Sequence, residues 1–178
     1  MSKKTSTQVK YLTVSAMLSA LGVVILGLGA VIEVLDITVA IIASLLVTYA
    51  VIEIGGPYPW LVWIVTSTIA LLLLPLKTPV LFYALLAGYY PILKQKIERK
   101  MARLSAWALK FGILAASLIL MWAVMWLFAP ALLETSGGWV MIVATLVLGV
   151  LAFVLYDFCL SKLIVVYFVK WQKRFKIK

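Results

Sequence analysis

The sequence predicts an all-α polytopic membrane protein, a single membrane domain over residues 1–178 with six transmembrane helices and both termini in the cytoplasm. Three observations lead there. Two thirds of the residues are hydrophobic (66%) and only 12% are charged, far from the balance of an average soluble domain. A soluble fold of this size leaves roughly a third of its chain surface in water, so the solvent for so much apolar side chain must be lipid. The apolar residues also come in six runs, and 15 of the 16 Lys and Arg residues fall on one side of the bilayer if every run crosses.

A spanning helix needs about 20 mostly apolar residues. The first run covers 12–32. Its positively charged start resembles a leader, but the run is too long for one and is expected to stay as the first helix. The second covers 37–53, closed by Glu53 and the breaker "GGPYP". The third, 60–74, ends at Pro75. The fourth, 79–93, opens on Pro79, a residue suited to the first turn of a helix. The fifth covers 106–128, and the sixth starts at Trp139.

The fourth run is short for a crossing, and charge decides it. If it did not cross, the cluster "KQKIERKMAR" would move outside, against the excess of cations on cytoplasmic loops. The sixth run stays apolar to Val169 apart from Asp157 and Lys162. Extended as a helix it measures about 46 Å, against a hydrocarbon core of about 30 Å. The span is therefore placed at 139–160, with 161–178 as a basic tail lying along the inner interface.

Composition excludes several chemistries. The chain has one cysteine, Cys159, and no histidine, which removes an internal disulfide, cysteine metal cages and the commonest general base and metal ligand. "IEIGGPYP" lacks the Lys and Ser/Thr of a phosphate-binding loop. No catalytic residue, metal site or cofactor is predicted, and the chain is not expected to be an enzyme. The net charge of +10 sits at the ends of apolar runs, facing anionic headgroups rather than nucleic acid.

The outer side carries few charges, among them Glu33, Asp36, Lys77 and Glu134. Tyr83, Trp122, Trp126 and Trp139 fall in the outer halves of their helices, and Trp122 and Trp126 share a face. Glu33, Asp36, Tyr83, Trp122, Trp126 and Trp139 are thus candidates for a small-molecule pocket with aromatic walls. The competing reading of the tryptophans is a belt anchoring the outer interface. Asp157 and Glu53 read as inner-edge charges, Asp157 paired with a nearby lysine, or else as functional groups by virtue of lying in a span.

In "YLTVSAMLSALGVVILGLG", Ala16 and Ala20 are four apart and form one small-residue face. In lipid, small residues let helix backbones approach closely. Such a face packs either on another helix of this chain or on a separate membrane subunit.

The basic N-tail, "YLTVSAMLSALGVVIL" with its A-x-x-x-A, and six helices within the chain resemble the substrate-binding (S) component of an energy-coupling factor transporter. The resemblance covers the whole chain in length and layout. It implies an ATP-driven importer of a vitamin or related micronutrient, with ligand captured on the extracellular side. It also implies partners: a transmembrane coupling subunit, on which Ala16 and Ala20 would dock, and two cytoplasmic ATPases. The implied location is the bacterial plasma membrane. The lack of an N-terminal histidine departs from the nickel/cobalt branch of that family. The alternative is a non-transporting membrane scaffold of six helices, like the rod-shape-determining proteins. An autonomous secondary carrier is weaker, because no mid-membrane charge or pair of broken helices is visible. "GYYPILKQKIER", residues 88–99, stands near the inner face, where a kink or an interface is expected.

Overall fold

The computed structural model describes residues 3–31, 35–75, 77–101, 103–128, 138–167 and 169. Every regular element among them is helical: α1 (Lys3–Val31), α2 (Asp36–Glu53), α3 (Tyr58–Leu73), α4 (Thr78–Phe82), a π-helical segment (Tyr83–Ala87), α5 (Tyr90–Lys100), α6 (Arg103–Phe128) and α7 (Gly138–Val166). Among the described residues, four stretches are long and apolar enough to cross a membrane: Ser6–Gly29, Asp36–Glu53, Leu104–Val124 and Leu146–Val166. Tyr58–Leu73 is apolar but shorter. The chain is thus an all-helical protein whose apolar helices fit a membrane.

Contacts divide the described residues into two compact units, one ending at Arg103 and the other beginning at Leu104. In the first, α2 is the central helix, packing on α1, α3, α4, the π segment and α5. Small and β-branched residues, Ala40, Ala43, Val47, Ala50 and Val51, allow that, since lipid offers no hydrophobic drive and close approach must supply the packing. Its end is shaped by Gly55 and Gly56, both left-handed at φ 66° and 62°. The Gly55 amide turns back to donate to Ala50 O at 2.9 Å, closing the last carbonyls.

Prolines frame α3. Pro57 precedes it and Pro59 lies in its first turn, where a missing N–H costs nothing. At its other end, Lys77 Nζ donates to the carbonyl oxygens of Leu71 (2.5 Å) and Leu74 (2.6 Å). A cation at a helix C-terminus both satisfies orphan carbonyls and suits the helix dipole.

The fourth run differs from the single helix expected over 79–93. It begins one residue earlier, breaks into a π segment and a turn, and then resumes as α5 as far as Lys100. Pro91 is one cause, because it brings no N–H to the helix ladder. The side chain of Trp63, on α3, is the other and is described below. The last helix also runs past the expected end at 160, reaching Val166. Residues 171–178 of the expected interfacial tail lie outside the described residues.

Candidate functional site

On α1 the buried residues Ser15, Ser19, Gly22, Leu26 and Gly29 recur at intervals of four and three, the signature of one helix face turned inward. Both serines satisfy their hydroxyls on their own helix, Ser15 donating to Tyr11 O at 2.8 Å and Ser19 to Ser15 O at 2.9 Å. Such back-bonding meets the requirement that polar groups in lipid be paired locally. At Gly22 a side chain has no room, since a Cβ there would lie 2.9 Å from Thr66 Cγ2 on α3. The chain's own packing on α2 and α3 thus uses the serine–glycine face.

Ala16 and Ala20 lie on a different face. Both are exposed, together with Leu12, Met17 and Val24. Within the first unit, the two alanines are therefore left uncovered. They form a narrow strip of small side chains on a surface otherwise built from long ones.

The candidate ligand residues are divided between the two units, Asp36 and Tyr83 in the first and Trp122 in the second. Glu33 lies outside the described residues, as do the side chains of Trp126 and Trp139. Asp36 is the first residue of α2, where a carboxylate is stabilised by the helix N-terminus. Trp122 on α6 is exposed (60%). Tyr83, expected on an open outer wall, is 1% exposed. Its hydroxyl shares a hydrogen bond with the Thr66 side chain, and Thr66 in turn donates to Ser19 O at 3.4 Å. A three-helix polar seam thus ties α1, α3 and the π segment together. In the state described, Tyr83 holds helices rather than lining a hollow.

Comparison with known proteins gives no lead. No family model, no curated protein and no solved structure matches this chain. The functional reading therefore rests on the residues alone.

Several charged side chains are buried or paired over long range. Asp157 is 4% exposed and pairs not with the nearby Lys162 but with Lys110, 47 residues earlier on α6, Nζ to Oδ2 at 3.0 Å. Because α7 continues to Val166, Asp157 lies inside that helix rather than at its end. Lys110, itself 4% exposed, also lies 5.2 Å from the Trp107 ring centroid; an aromatic face adds attraction for a desolvated cation. Lys162 instead stands over the Phe158 ring at 5.3 Å. Lys94, read as part of a cytoplasmic cluster, is buried in the first unit and lies 3.5 Å from Glu98 one turn on. Spacing offered a hint for Lys110: Ala106, Lys110, Leu114 and Ser117, all buried, follow the i, i+4, i+8, i+11 pattern of one helix face. Cys159 is exposed.

Proposed function

We propose that this chain is the membrane-embedded substrate-binding subunit of an ATP-driven micronutrient importer of the energy-coupling factor type. The observation that carries the reading is the exposure of Ala16 and Ala20 on α1. A small-residue strip left uncovered by the other helices of the first unit is what a second membrane subunit would need for close approach. Charge supports the same reading. With six crossings, counting the broken 78–100 stretch as one, both termini and 15 of the 16 cations lie on the cytoplasmic side of a bacterial plasma membrane.

In this mechanism the subunit captures its ligand from outside and docks through Ala16 and Ala20 on a transmembrane coupling subunit. Two cytoplasmic ATPases supply the energy, which the chain itself has no phosphate loop to harvest. The coupling subunit must bind loaded and empty states with different affinity, since no conformational cycle can be driven otherwise. The ligand pocket would be drawn from the outer ends of the helices. The test is co-expression with a complete coupling module, followed by gentle copurification and mass spectrometry of retained small molecules. A complex containing all subunits and a bound micronutrient is the expected result. A chain that purifies alone and empty overturns the reading and favours the scaffold.

A further inference from the structure

The break in the fourth run contains a competition between two donors for one acceptor. In an unbroken α-helix the amide of Gly88 would donate to Ala84 O, four residues back. Here it donates to Tyr83 O, five residues back, at 2.7 Å. That is the π register, which holds one residue more per turn than the α-helix can. The carbonyl of Ala84, relieved of the Gly88 amide, receives the indole of Trp63 from α3 at 3.2 Å. The indole can lie there because residue 88 has no side chain: a Cβ would be 2.5 Å from Trp63 Cδ1 and 2.8 Å from Tyr83 O.

We propose that Trp63 is a latch that holds the fourth helix in its π register, and that withdrawal of the indole lets the segment 83–88 pass to the α register. The elements on either side are built for two states. Before the break, Tyr83 is fixed by burial and by Thr66. After it, Pro91 brings no amide, so the ladder is already interrupted and a change of register breaks few further bonds. The exchange itself is nearly balanced in hydrogen bonds, because Ala84 O trades one N–H donor for another. Its mechanical result is not small. A one-residue change turns the following helix by about 100° and pushes it about 1.5 Å further along its axis. That motion would carry Lys96 off the ring of Trp60, over which its Nζ now lies at 5.4 Å, and separate Trp63 from Tyr89, whose rings now meet edge-on at 5.8 Å. The basic face of α5 is therefore the part that the latch moves.

The test does not depend on any transport partner. In a Cys159→Ser background, spin labels are placed at the exposed positions Leu61 on α3 and Gln95 on α5, and their separation is measured in lipid nanodiscs. Trp63→Phe keeps an aromatic ring but removes the donor. Deleting Leu86 removes the extra residue and forces the α register. The expected result is that both variants fold, that Trp63→Phe shifts the label distance by on the order of 5 Å or more, as a turn of about 100° requires, and that the deletion, which reaches the α register with one residue fewer, keeps the parent distance. The parent distance in Trp63→Phe overturns the proposal. So does failure of either variant to fold, because a register that cannot be left is a fixed structural turn and not a latch.

Discussion

Replacing Asp157 with Asn would leave the Lys110 ammonium buried beside Trp107 with its ion-pair partner gone. Removing one member of a buried pair costs about 3–5 kcal/mol, whereas replacing both by apolar residues is often neutral. Asp157→Asn is therefore expected to lower the thermal midpoint in detergent strongly, and Lys110→Met with Asp157→Leu to recover most of the loss. A double variant as unstable as the single would show that the pair contributes something other than mutual neutralisation. A similar argument applies to Thr66, whose hydroxyl serves both Tyr83 and the Ser19 carbonyl. Thr66→Val keeps the shape and leaves a buried phenol short of a partner, at about 1–3 kcal/mol. Adding Tyr83→Phe should return part of that stability in the same melting measurement. Neither pairing was legible in the sequence. Lys110 and Asp157 are 47 residues apart, as are Thr66 and Ser19, and nothing in local spacing says which distant helix face a lone polar residue meets.

At the level of elements, the long apolar runs were readable because a bilayer sets a length that few other structures require. Thus 12–32, 37–53, 60–74 and 106–128 each correspond to one helix, with ends shifted by a few residues or, at the start of α1, by about two turns. The 79–93 run was not readable as a broken helix. Its interruption depends on an indole contributed by another helix, on Gly88 having no Cβ to refuse it, and only in part on the local signal of Pro91. The face of α1 was half legible: spacing grouped Ala16 with Ala20, but only packing reveals that the serine–glycine side is the one turned inward. This yields a sharp expectation. Ala16→Leu and Ala20→Leu should leave stability within about 0.5 kcal/mol, as exposed substitutions do, yet abolish copurification with a coupling module. Gly22→Leu, aimed at Thr66, should do the reverse and unfold the chain before any partner is involved.

For the whole molecule, the decisive quantity is the parity of crossings. Single cysteines at Gln95 and Lys77, again without Cys159, would be modified with a membrane-impermeant thiol reagent. Six crossings require position 77 to react in intact cells and position 95 to react only after permeabilisation. Reaction at 95 from outside would reverse the charge argument and with it the importer. Sequence carried this question further than the fold does, because the positive-inside bias is a property of the charge distribution along the chain. The fold contributes instead the division into two units, which no linker or change in composition announced.

Cys159 stands about 200° around α7 from Asp157, with its sulfur exposed while the carboxylate is buried. The chain has no second thiol, so a fluorophore attached there would be a ruler already installed two residues from the hidden charge. Quenching by bromine atoms placed at successive depths along the acyl chains would then report the height at which the Lys110–Asp157 pair rides in the bilayer, with every other residue left as it is.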